Sequence, residues 1–259
     1  MTTDLSDPKH RFSNRVKDYV RFRPSYPPAL LTLLRDEARI GPEVTVADMG
    51  SGTGILTDML LQTGCRVLGV EPNRLMREAA EDHLESHPRF QSVAGSAEAS
   101  GLSDASVDLV TAAQAFHWFR VDESGREFRR ILRPEGTVVL LWNSRRVEGT
   151  PFLKGYEHIL RQWGTDYTMV RRSYDVDKSL ARLFGNAEIK HRTFTNNQFL
   201  TYEVLEGRLL SSSYVPTRAD SSCRPLLTAL TNLFQEHAVD NTVKMLYDTQ
   251  VYYGKLDRV

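Results

Sequence analysis

Apolar and polar positions along the 259-residue chain change rhythm repeatedly, and each change marks an element. Phe12, Val16, Tyr19 and Val20 recur at helical spacing, which predicts a short amphipathic helix near the N-terminus. The stretch Arg21 to Pro28 breaks it, and Pro27 and Pro28 preset a helix carrying Leu30, Leu31 and Leu34. After Gly41-Pro42, Val44 to Met49 reads as a buried strand. Ile55, Leu56, Met59 and Leu60 give the next helix one apolar face, and Arg66 to Glu71 forms a second strand. Asn73 caps a helix on which Leu75, Met76, Ala79, Ala80, His83 and Leu84 keep helical spacing. Phe90 to Ala94 and Val107 to Ala113 are the third and fourth strands. Asp122 is expected to cap a helix bearing Phe128, Ile131 and Leu132, followed by a turn at Arg133 to Gly136 and a fifth strand at Thr137 to Trp142.

Five alternations of strand and helix predict a parallel sheet covered by helices on both faces, with right-handed crossovers. Beyond Asn143 the order changes: helices at about Phe152 to Trp163 and Ser179 to Phe184, a strand at Ala187 to Phe194, and a helix at about Phe199 to Leu210. A last helix spans Pro225 to Glu236, and Thr242 to Tyr253 alternates as a strand with Val243, Met245, Tyr247, Val251 and Tyr253 on one face.

Composition narrows the class without changing this picture. Hydrophobic residues at 41% and charged residues at 25% are those of a soluble globular protein. Lys plus Arg, 33, equals Asp plus Glu, 33, so no global field draws in nucleic acid or an anionic membrane. Cys65 and Cys223 are too few for a disulfide framework or a cysteine-rich metal site, and they fit a reducing cytoplasm. Met1 to Lys9 lacks the apolar core of a signal peptide, and no apolar run reaches membrane-spanning length.

The chemistry concentrates in Val46-Ala47-Asp48-Met49-Gly50-Ser51-Gly52-Thr53-Gly54, followed seventeen positions later by Glu71. Glycines after a parallel strand let backbone approach a ligand closely and adopt dihedrals other residues resist. The following helix offers unpaired N–H groups, and Glu71 at the end of strand two supplies a carboxylate where a ribose is gripped. A dinucleotide fold spaces its glycines G-x-G-x-x-G, whereas these read G-x-G-x-G.

That variant resembles the cofactor site of class I, seven-stranded S-adenosylmethionine-dependent methyltransferases, and the nearest relatives look like small-molecule enzymes of the trans-aconitate methyltransferase type. The resemblance covers roughly Phe12 to Asn143. It implies an α/β, Rossmann-like, doubly wound seven-stranded sheet, mostly parallel with an antiparallel last strand, an N-terminal helical cap and a helical insertion after strand five. The expected organisation is a single domain over 1–259, with a cap at 1–40, a cofactor-binding half at 41–143 and a substrate-side cover at 144–259. The implied activity is transfer of a methyl group from S-adenosylmethionine to a small-molecule acceptor, leaving S-adenosylhomocysteine. Asp48, Gly50, Ser51, Gly52 and Gly54 match the cofactor loop, and Glu71 with Pro72 matches the ribose position. Ser96, Ala97 and Glu98 fall at the adenine loop, where the family often carries an acidic residue in place of Ser96. Gln114 and Ala115 fall at the methionine end.

On the acceptor side, His117 is titratable near neutrality and follows strand four: it is the best catalytic candidate for a proton acceptor should the nucleophile need one, and it suits a substrate or methionine contact, or a hydrogen bond to a neighbouring loop. Tyr19, Arg23 and Tyr26 fall where related enzymes close a lid, and phenols with an Arg fork suit a carboxylate. Trp118 and Asn143 are expected to line the pocket; Arg145 and Arg146 suit an anion or plain solvent. The many aromatics and few fixed charges favour a small, partly apolar substrate. A rival reading is an NAD(P)-dependent oxidoreductase, because Tyr174 and Lys178 match a Tyr-x-x-x-Lys pair. A methyltransferase-like binding module without turnover is another. The acceptor atom and the oligomeric state are not encoded in any motif.

Overall fold

The computed structural model describes residues 22–165, 167 and 176–257. The expected first helix with Tyr19, and Tyr174 of the Tyr-x-x-x-Lys pair, lie outside these residues.

Pro27 and Pro28 open helix α1 (Ala29–Ala38), which buries Leu30 and Leu34. Strand β1 (Thr45–Met49) leads to α2 (Ile55–Leu61), then β2 (Arg66–Val70), α3 (Arg74–Leu84), β3 (Phe90–Val93) and β4 (Val107–Ala113). A 3-10 turn at Phe116–Trp118 precedes α4 (Val121–Ile131) and the long strand β5 (Leu132–Arg145). Helices α5 (Pro151–Trp163) and α6 (Val176–Phe184) are the insertion, followed by β6 (Lys190–Leu200), α7 (Tyr202–Leu210), α8 (Cys223–His237) and β7 (Val243–Gly254).

The sheet order is β3-β2-β1-β4-β5-β7-β6, with β1 to β5 parallel and β7 antiparallel to both neighbours. This is the seven-stranded α/β fold expected of the sequence. Alternation on the strands feeds two cores: Ala47, Met49, Leu68 and Val70 pack toward α4 and α6, while Val46, Val67 and Leu109 pack toward α1 and α2. A third cluster joins α5, α7 and α8 to Val243, Met245 and Tyr247 of β7. β1 pairs with β2 on one side and β4 on the other, so the order reverses there and leaves a crevice at the carboxyl ends of these strands.

Several boundaries differ from expectation, and most of these are set by partners distant in sequence. Leu132 opens β5 opposite Val107, and the next pair is Leu109 with Thr137, so 133–136 loop out of a continuous strand. Helix α4 begins one residue earlier than Asp122, with Arg120 at the N-cap position and no side-chain cap. Asp122 sits in the first turn, where a carboxylate still suits the helix dipole, and pairs with Arg182. Strand β6 runs on to Leu200 because its ladder with β7 continues to Val243. Its helix therefore begins only after Thr201, whose hydroxyl caps Val204 N. Asn73 caps α3 as expected, its Oδ1 accepting from Leu75 N at 3.0 Å and Met76 N at 3.3 Å.

Candidate active site

The glycine loop leaves β1 by accepting constraint from β2: Gly50 N and Ser51 N both donate to Val70 O, at 2.8 and 3.2 Å. Gly50, Gly52 and Gly54 have φ of 67°, 57° and 87°, the left-handed region that glycine tolerates. A Cβ at Gly50 would meet Ala115 Cβ at 2.7 Å, and one at Gly54 would meet Leu84 Cδ1 at 2.8 Å. A Cβ at Gly52 would meet nothing within 4 Å. The outer two glycines are thus packing positions, and the middle one presents bare backbone to open space.

Glu71 stands beside that bare backbone. Its Oε2 accepts from Gly52 N at 3.0 Å and its Oε1 from Asn73 N at 2.8 Å. Burial pushes its pKa up, against the pull of those two N–H groups. Thr53 is 2% exposed, and its hydroxyl has no hydrogen-bond partner among the described residues. Asp48 is only 1% exposed; Thr57 Oγ1 and Thr111 Oγ1 donate to its two oxygens at 2.8 Å each. Its carboxyl therefore ties β1 to α2 and β4 from beneath the loop, and burial raises its pKa to about 6.

The loop after β3 folds on itself, with Ser96 and Ala99 exchanging backbone hydrogen bonds and Ala97 buried between them. Glu98 Oε1 accepts from Arg120 N at 2.9 Å, which fastens this loop to the segment after β4. Pro72 caps the neighbouring edge, its carbonyl accepting from Arg77 Nη1 at 3.0 Å. At the end of β4, Gln114 holds a φ of 56°, unusual for a side-chain-bearing residue. Its N–H donates to Leu141 O at 2.9 Å and its Nε2 to Asn143 O at 3.3 Å, so β5 fixes the kink. Ala115 is buried against the glycine loop, and the 3-10 turn then presents His117 and Trp118 half-buried, their rings 4.7 Å apart.

A cavity of about 460 Å³ opens from this turn. Gln114, His117, Trp118 and Asn143 line it on the β4–β5 side. Arg23, Arg145 and Arg208 line it with Tyr156, Tyr214, Tyr247 and Tyr252 on the other. Arg145 Nη2 donates to Glu157 Oε2 at 2.6 Å and Tyr167 OH at 2.9 Å, and its guanidinium sits 5.0 Å from the Tyr156 ring centroid. These contacts raise the Arg145 pKa against the opposing effect of its burial. Asn143 is a hub: its Nδ2 donates to Ser25 O at 3.1 Å, and its Oδ1 accepts from Thr249 Oγ1 at 2.6 Å and Asn196 Nδ2 at 3.2 Å.

A methyltransferase-domain family model matches residues 47–140, the span from β1 to β5 that builds the glycine loop and the Gln114 kink. An uncharacterised methyltransferase of Schizosaccharomyces pombe is 30% identical over 209 residues, 78% of this chain and 77% of that one. The chain belongs to the class I S-adenosylmethionine-dependent methyltransferases. An uncharacterised methyltransferase of Mycobacterium tuberculosis is 40% identical over 146 residues, 56% of this chain and 57% of that one. In fold, a methyltransferase candidate of Anaeromyxobacter dehalogenans matches with a TM-score of 0.66 at 23% identity, over 92% of this chain and all (100%) of the other. A Haemonchus contortus phosphoethanolamine N-methyltransferase, solved with phosphomonomethylethanolamine and S-adenosylhomocysteine, matches at a TM-score of 0.57 and 14% identity, over 98% of this chain and 60% of that one. The methyl donor is S-adenosylmethionine, which sets aside the nicotinamide reading.

Within this methyltransferase the residues singled out from sequence fall into groups. Gly50, Ser51, Gly52, Gly54, Glu71 and Pro72 share the crevice beside β1 and β2, with Asp48 beneath them. Arg23, His117, Trp118 and Asn143 meet around the cavity. Tyr26 does not join them; it is buried with Leu30 and Leu34 and borders a second, more open cavity of about 550 Å³ along β6. The adjacent arginines diverge, as strand alternation requires: Arg145 faces the cavity, while Arg146 pairs with Asp248 at 2.6 Å on the exposed face. Tyr156 and Arg208 were missed. The sequence did hold a signal for the second, a charged residue embedded in the apolar run of Leu205, Leu209 and Leu210.

Proposed function

We propose that the acceptor is a small molecule bound in the 460 Å³ cavity, with the methyl donor on the glycine loop and the reacting centres meeting at the Gln114–Trp118 turn. The observation that carries this reading is the position of that turn. Ala115 packs directly on the loop at Gly50, while His117 and Trp118, two and three residues on, line the cavity. The volume lies in the range of small-ligand pockets.

The residues present fit the donor. Open backbone at Gly52, the adjoining Glu71 carboxylate and the orphaned Thr53 hydroxyl together form a polar cradle that lacks an occupant's hydrogen-bonding groups. In the proposal Glu71 holds the ribose hydroxyls, with Pro72 fixing the strand end. The Ser96–Glu98 loop borders the adenine, and Ser51, Gln114 and Ala115 border the methionine portion. S-adenosylmethionine, when bound, supplies an electrophilic methyl group on a sulfonium. The chain's own work is alignment and exclusion of water: the Gln114 kink, held by Leu141 and Asn143, sets the turn, and Trp118 covers it. His117, on the cavity wall, contacts the acceptor and is placed to take its proton where the nucleophile carries one.

Calorimetric titration with S-adenosylmethionine, S-adenosylhomocysteine, NAD and NADP should give binding of the first two alone. A radiolabelled-methyl screen over small carboxylic acids, phenols, amines and thiols should then yield a methylated product. His117→Ala should lower turnover at saturating acceptor; unchanged turnover would remove His117 from the site. Label appearing only in protein or nucleic acid would sink the small-molecule reading.

A further inference from the structure

We infer that the acceptor carries an anionic oxygen group, a carboxylate or a phosphate, seated in the cavity against Arg208 and Tyr156. The inference rests on the reading of this cavity as the acceptor site and adds the chemical class of what enters it.

Arg208 is only 8% exposed, and a buried guanidinium normally has a carboxylate partner. Here its Nε donates to Phe22 O at 2.8 Å and its Nη1 to Gln198 Oε1, both uncharged acceptors. Its flat face lies 5.8 Å from the Tyr247 ring centroid. Among the described residues no carboxylate pairs with it, and Nη2 makes no hydrogen bond, although the residue lines the cavity. The other charges nearby do not compensate. Arg145 is met by Glu157, and that carboxylate is shared with Arg161 at 3.0 Å and Tyr167 at 2.5 Å. Among the described residues, Arg23, Arg145 and Arg208 line the cavity and no Asp or Glu does. Tyr156 is 4% exposed and lines the same space, and its hydroxyl has no hydrogen-bond partner among the described residues. A free guanidinium edge and a free phenol lining one cavity are complementary to an anion's oxygens.

The donor's own carboxylate is a poor fit for this role. Tyr247 lies on β7, two strands from β4, whose end borders the donor's methionine portion, or about 10 Å at ordinary strand spacing. An anionic group is added here to the small, partly apolar substrate expected of the sequence, whose aromatic body the cavity's Tyr and Trp rings suit.

The test is calorimetry on the full chain saturated with S-adenosylhomocysteine, using benzoate, phenyl phosphate and the neutral benzamide as probes. At least one anion should bind roughly tenfold or more tightly than benzamide, and which one does so tells carboxylate from phosphate. Arg208→Gln should weaken that anion by about tenfold or more, with Arg208→Lys retaining most of the affinity and S-adenosylhomocysteine binding unchanged. A merely structural Arg208 would lower the melting temperature of the variants without separating anion from amide. Equal binding of benzoate and benzamide, no binding of either anion, or loss of S-adenosylhomocysteine affinity in place of anion affinity would overturn the inference. The wild-type comparison decides the matter even where the variants do not fold. Failure of the donor reading shows separately, as absent S-adenosylhomocysteine binding in the wild type, and the anion titration is then run without it.

Discussion

Asp48→Asn should remove one pH-dependent contribution to stability. The carboxyl is buried beneath the glycine loop with two threonine hydroxyls as donors, and burial raises its pKa from the ordinary 3.8 to about 6. Between those values the folded protein binds a proton that the unfolded chain has released. Stability contributed by this group is therefore complete below about pH 3.8 and is lost as pH rises through about 6. A displacement of roughly 2 pKa units corresponds to about 3 kcal/mol of unfolding free energy, of which about 2 kcal/mol falls between about pH 4.5 and 7.5. Asparagine keeps the shape, accepting from one threonine and donating to the other, but does not titrate. Urea unfolding of both proteins at several pH values gives the difference between them, in which all other titrating groups cancel. The variant should gain on the wild type by about 2 kcal/mol across that window. A difference that stays constant with pH would refute the account of Asp48 as a desolvated, weakly compensated acid.

Three further outcomes follow from the same geometry. Glu71→Gln should weaken S-adenosylmethionine binding by roughly tenfold or more, since a charge-assisted hydrogen bond is replaced by a neutral one; calorimetry reads it. Gly50→Ala places a Cβ 2.7 Å from Ala115 Cβ at a positive φ, and should cost roughly 1–3 kcal/mol in denaturant unfolding with loss of donor binding. Asn73→Ala leaves Leu75 N and Met76 N without their acceptor and should cost about 1 kcal/mol, seen as a lower melting temperature with methyl transfer retained.

Much of the fold was legible in the chain because its signals are local. Helical spacing around Leu75 to Leu84, the Asn73 cap and the alternation of Val243 to Tyr253 each involve residues a few positions apart, and each appears as read. The misplaced boundaries are those fixed by distant partners. Leu132 joined β5 because Val107 lay opposite it, and Phe199 stayed extended because Lys244 paired with it. Asp122 lost the N-cap position to Arg120, whose N–H is held by Glu98 from another loop.

The candidate site divides along the same line. Glycine spacing and Glu71 fixed the donor, because a tight strand–loop–helix turn must write its backbone requirements into consecutive residues. The cavity had no such signature. Arg23, Asn143, Tyr156, Arg208 and Tyr247 come from segments spread over more than two hundred positions, and only the seven-stranded order brings them together. Strand alternation sent Arg145 inward and Arg146 outward. Burial without a carboxylate made Arg208 a residue in need of an anion, a property of its surroundings rather than of the residue itself. The sequence by itself determined the sheet and the methyl donor; the tertiary structure decided what lines the cavity proposed for the acceptor, because that depends on which charges are left uncompensated once the chain has closed around them.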